Sequence, residues 1–139
     1  MASTIPELCD AIITMINTAH AFTAVRSYKP TFDVKELTEL KVTVVPRSLA
    51  TSPSTRNSQA TLQQIDVGFQ KKAAIDNAVI DPLIELVQQV RATLKPGTRL
   101  AADAVILASV NEPIYSPNHL EEPGIFLSVL NVTIRVEER

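Results

Sequence analysis

Along the first twenty residues, Ile5, Leu8, Cys9, Ile12, Ile13 and Ile16 recur at spacings of three and four, which gathers them on one face of a helix. Glu7, Asp10 and Asn17 fall off that face. Thr4 can accept a hydrogen bond from the free N–H groups of a first turn, and Pro6 suits an early helical position because its missing N–H had no partner there. The pattern predicts a helix from about Pro6 to Ala19.

The period then changes. Val25 and Tyr28 lie in a short extended stretch, Thr23 to Lys29, ended by Pro30. Leu40, Val42 and Val44 alternate with Lys41 and Thr43 in a β-branched run closed by Val45-Pro46, which predicts a strand buried on one face. From Arg47 to Gln59 the chain holds Ser, Thr, Pro and Arg but no acid, and this predicts an exposed, mobile loop. Strand patterning resumes at Thr61, with Ile65, Val67 and Phe69 on one face and Gln64, Asp66, Gly68 and Gln70 on the other. A long hairpin arm with a flexible tip follows.

A second helix is predicted to begin at Asp81-Pro82, with Asp81 as N-cap and a stripe of Leu83, Ile84, Val87, Val90 and Leu94, and Lys95-Pro96-Gly97 ends it. Arg91 and Lys95 sit where the helix dipole favours positive charge. The nearly continuous apolar run from Ala104 to Val110 predicts a central strand buried on both faces. A second long loop, Asn111 to Gly124, carries three prolines and Glu121-Glu122. The closing strand alternates Phe126, Leu130, Val132, Ile134 and Val136 with Asn131, Thr133, Arg135 and Glu137. This order predicts an α+β two-layer sandwich: a mixed or antiparallel sheet with long hairpin arms and two helices packed on one face. A doubly wound parallel fold would need more crossover helices than the pattern supplies.

Composition narrows the function classes. A chain of 139 residues fits one domain, and 45% hydrophobic with 20% charged residues is enough apolar material for a core. The net charge of −2 disfavours non-specific nucleic-acid binding, which rests on an excess of Lys and Arg. One cysteine cannot make an intramolecular disulfide, and no stretch is long and apolar enough to predict export or a membrane span. Three glycines and two histidines are poor material for phosphate loops and metal sites.

The residues able to carry chemistry are His20, His119, Cys9, Asp33, Glu121 and Glu122, and they form no motif. Cys9 lies on the apolar stripe of the first helix, where a buried thiol is inert. His20 follows the helix end and suits a capping role; His119 lies solvated in a proline-rich loop. The sequon Asn131-Val132-Thr133 falls inside a strand, and Lys71-Lys72 reads as protection of a strand edge. No catalytic, cofactor-binding or metal-binding residues are expected, and the chain is not expected to be an enzyme.

Two groups of segments carry a resemblance. Phe22-Thr23-Ala24-Val25-Arg26-Ser27-Tyr28-Lys29-Pro30-Thr31-Phe32-Asp33, continued by Leu37 to Leu40 and Lys41-Val42-Thr43-Val44-Val45-Pro46-Arg47, resembles small neck and tail proteins of long-tailed bacteriophages. So does Ile65-Asp66-Val67-Gly68-Phe69-Gln70-Lys71-Lys72, leading to Asp81-Pro82-Leu83. The resemblance implies a tail terminator or tail-completion protein: a homo-oligomeric ring, as a rule a hexamer, that caps the tail tube protein and ends its growth. Its other face would receive the head-side connector protein, and DNA would pass through the ring without specific binding. Such a protein is assembled in the host cytoplasm and resides in the virion, without membrane or cofactor. The alternatives are a head-side connector (stopper) protein of the neck, or a small non-enzymatic adaptor domain.

In either setting contacts are expected on the two long loops. Arg47 and Arg56 would meet carboxylates, with Leu49 as the first loop's apolar anchor. Ile114, Tyr115, His119 and Leu120 would form a small patch on the second loop, stiffened by Pro113, Pro117 and Pro123.

Overall fold

A computed structural model describes residues 4–20, 24–26, 40–55, 58–72, 76–111, 114–115, 120 and 124–138. Helix α1, Ile5–Ala19, starts as its sequence directs: the Thr4 hydroxyl accepts from the Glu7 N–H, and Leu8, Cys9, Ile12 and Ile16 are buried. Strand β1, Ala24–Arg26, is tied back to this helix, because the Asn17 Oδ1 accepts from the Ala24 N–H at 2.7 Å and Arg26 pairs with Asp10 at 3.4 Å. Strands β2, Lys41–Thr55, and β3, Ser58–Lys72, form a long antiparallel hairpin, followed by helix α2, Asn77–Thr93. Three more strands complete the fold: β4, Arg99–Ala101; β5, Ala104–Val110; and β6, Ile125–Glu138.

The six strands make one curled sheet in the order β1-β2-β3-β6-β5-β4. It is mixed, since β1 runs parallel to β2 while every other neighbour is antiparallel. One face carries Val42, Val44, Ile65, Val67, Phe69, Ile106, Leu130, Val132 and Ile134, all buried, and the helices bring Ile12, Ile16, Leu83, Val87, Val90 and Leu94 to the same core. Each such side chain contributes roughly 1.5–3 kcal/mol by leaving water, so this single core is what secures the two layers. The fold is α+β, as the alternation of periods predicts. The helices also touch at their C-terminal ends. Thr93 donates its hydroxyl proton to the Gln89 carbonyl at 3.2 Å, so at 3.0 Å its oxygen accepts from the His20 Nε2.

Four local expectations are corrected. Arg47 to Gln59 is not a loop: β2 continues to Thr55 and β3 opens at Ser58, leaving two residues between them. Polar side chains do not prevent a strand whose backbone is satisfied, and β3 is paired on both sides, from Gln59↔Glu138 to Lys72↔Ile125 on the β6 side. Helix α2 begins four residues before Asp81, capped by Asp76, whose carboxylate accepts from the Ala78 N–H. Pro82 is therefore inside the helix, where it removes the hydrogen bond that the Ala78 carbonyl would receive.

The run Ala104 to Val110 is not a central strand buried on both faces. It lies next to the short edge strand β4, which the sequence reading omits, and a bulge at Leu107 leaves Leu107 and Val110 exposed. Lys71 and Lys72 end β3, an interior strand, so they protect no edge. Past α2, Gly97 adopts φ +89° and donates its N–H to the Ile106 carbonyl, a turn that a side chain would strain.

Candidate functional site

The reactive side chains do not converge. Cys9 is fully buried, and its burial pushes the thiol above the ordinary value, with Arg26 opposing and Asp10 adding to the shift. A thiol held neutral in an apolar core is no nucleophile. His20 is the C-cap of α1, its backbone N–H donating to the Ile16 carbonyl at 3.0 Å, while its ring bonds Thr93 of α2. Among the described residues no three His, Cys, Asp or Glu side chains stand close enough to share a metal ion, and no helix is long and apolar enough to cross a membrane. Asp33, His119, Glu121 and Glu122 lie outside the described residues.

The buried thiol has a measurable signature. Only the unfolded chain releases the Cys9 proton at its ordinary pKa of about 8.5, so its contribution to stability is complete below that pH and is lost as pH rises through the folded value. Urea unfolding from pH 7.5 to 10 is expected to show the wild type losing more stability than Cys9→Ala, by at most about 1.4 kcal/mol per pH unit. A thiol reagent should label Cys9 only after denaturation. Fast labelling of the native protein would contradict the burial.

The contact candidates separate into three kinds. Leu49 and Ile114 are about half exposed, as contacts should be. Tyr115 stacks on Phe126 with ring centroids 6.3 Å apart, and Leu120 is buried in the core, so these two brace the second loop against the sheet. Arg47 reaches the Asp66 carboxylate at 3.7 Å within its own chain. Arg56 and His119 lie outside the described residues.

Arg47 owes its position to a bulge. Pro46 pairs with Ile65 and Ser48 with Gln64, so Arg47 is the extra residue in β2. On the sheet face away from the helices, Asp66 of β3 takes both this guanidinium and the Asn131 Nδ2 of β6, the latter at 2.8 Å. The sequon asparagine is thus spent on a cross-strand bond. Period-two patterning places Asp66 and Asn131 on that face, but no sequence signal gives the bulge that brings Arg47 to them.

Beyond the bulge, β2 offers the broadest surface for an interaction. β1 pairs with it only from Val42 to Val44, and among the described residues no strand lies along its outer edge from Val45 to Thr55. At about 3.3 Å per residue this leaves roughly 35 Å of backbone edge, backed by β3 and, behind it, β6, with register shifts at Arg47 and Ser54. One strand in from it lie two buried oxygens without a hydrogen-bond partner among the described residues, Thr61 Oγ1 and Gln63 Oε1; Thr61 pairs in register with Thr51, and Gln63 with Leu49. An open strand edge is a template for another strand.

Comparison with models of known protein families finds no match, and neither does comparison with curated proteins.

Proposed function

We propose that this chain is a structural protein of a bacteriophage neck, a tail terminator that closes into a ring on the end of the tail tube. The observation that supports the reading is the long edge of β2 from Val45 to Thr55, along which no strand lies among the described residues and which another copy can satisfy by strand addition. Where this edge meets a different surface of its neighbour the contact is head-to-tail, and head-to-tail contacts close into rings when their rotation permits. The resemblance of the Phe22 to Arg47 and Ile65 to Lys72 stretches to phage neck and tail proteins supplies the tube and the head-side connector as partners. A net charge of −2 suits a passage through which DNA slides without being gripped.

Light scattering and electron micrographs of the purified protein should show closed rings with an open centre. Ser48→Glu combined with Leu49→Glu places two acids on exposed positions of the edge, and should give monomers that unfold as the wild type does. A wild-type protein that stays monomeric at hundreds of micromolar and leaves tail tubes uncapped would sink the reading. Rings that bind a head-side connector but never a tube would favour the stopper role instead.

A further inference from the structure

We infer that the groove between α2 and β5 is a docking site for an extended, acidic segment of a partner protein. Two hollows of 360 and 260 Å³ meet there, sharing Gln88, Arg91 and Ser109 in their walls. One end is apolar, built from Ile84, Val87 and the half-exposed Ile114. The other is basic, where Arg91 in the last turn of α2 and Lys95, just past its C-cap Leu94, share a wall.

Three observations identify the occupant. The first is backbone. The turn before β4 covers β5 as far as Ile106, which gives its N–H to the Thr98 carbonyl and receives the Gly97 N–H. Past Ile106, no strand covers the outer edge of β5 among the described residues. Ser109 lies on the same face as Ile106 and, by the alternation of an antiparallel ladder, turns its N–H and C=O away from β6 toward the groove. That edge selects an extended segment, whose main chain it can bond while an alternate side chain enters the apolar end.

The second is charge. Neither Arg91 nor Lys95 is ion-paired among the described residues, and no described Asp or Glu lines either hollow. Two like charges in one hollow repel, and the helix C-terminus offsets this only in part. An acidic occupant removes the repulsion. The third is exclusion of a second copy. The β2 edge of a second copy, Val45 to Thr55, contains Arg47 and no Asp or Glu, so it lacks the acid that these cations would select. The docking proposal does not depend on the ring.

The test uses the full chain and a fluorescein-labelled peptide of alternating Val and Glu, with a Lys-for-Glu counterpart as control. Fluorescence anisotropy should show saturable binding of the acidic peptide alone. Arg91→Glu combined with Lys95→Glu should weaken it at least tenfold and take up the basic peptide instead. Both side chains are exposed, so the variant should keep its melting temperature. Amide exchange should slow at Ser109 when the acidic peptide binds, while Val110, whose N–H faces β6, should be unchanged. Equal affinity of wild type and double variant, no binding of the acidic peptide at millimolar concentration, or protection confined to β2 would each overturn the assignment. Self-association lost in the double variant would give the groove to a second copy and overturn it as well.

Discussion

Phe69→Ala is expected to lower the unfolding free energy by about 3–5 kcal/mol, a large fraction of the roughly 5–15 kcal/mol that a domain possesses. The ring is fully buried at the centre of the sheet's helix-facing side, where β3 sets it level with Val42 of β2 and Ser128 of β6. Val42 fills its site with a branched side chain and Ser128 leaves little bulk, so neither neighbour can move into the space. The next residue but four toward the hairpin tip, Gln64, faces the other way and is only half-buried. Gln64→Ala should therefore cost less than about 1 kcal/mol. Chemical denaturation of both variants checks the face assignment, with the slope against denaturant unchanged. Equal losses would mean that the two faces of β3 have been exchanged. Under the ring reading, Phe69→Ala should also weaken assembly, because β2 is backed by β3.

The hydrophobic period made the core legible. Ile5 to Ile16, Ile65 to Phe69 and Phe126 to Val136 bury the residues that their spacing predicts, with Ile5 and Ile13 only partly covered, because burial on one face is what a regular period encodes. What escaped was structure held by backbone alone. Nothing apolar marks Arg47 to Thr55 as a strand, and its ladder to β3 is sustained by pairing that β6 stabilises from more than sixty residues away. The start of α2 escaped for the opposite reason. Asp81-Pro82 is a good local start signal, but Ile80 extends the apolar stripe back toward Asp76, and packing of that turn outweighs the hydrogen bond lost at Pro82. The candidate contact residues were legible as exposed positions at Leu49 and Ile114. Leu120 was not, since an isolated leucine among polar and proline residues gives no period from which to read that it reaches the core.

Thr61→Val together with Gln63→Met is expected to raise the stability of the isolated chain by about 1–3 kcal/mol. Both residues are buried on the helix-facing side of β3, and Thr61 Oγ1 and Gln63 Oε1 have no hydrogen-bond partner among the described residues. A buried acceptor left unpaired costs more than a bond in water would have returned, and Val and Met keep nearly the same shape without it. Natural chains keep few such atoms. Their position is therefore informative, because Gln63 pairs in register with the half-exposed Leu49 on the strand whose other edge is open. Under the ring reading, donors from the neighbouring subunit reach these oxygens. The same double variant should then melt higher as a monomer yet assemble less well, a divergence that packing alone does not produce. Differential scanning calorimetry and light scattering on one preparation measure both quantities. Higher stability with unimpaired rings would leave the open edge of β2 as the whole of the contact, whereas lower stability would show that the two oxygens are already satisfied by ordered water.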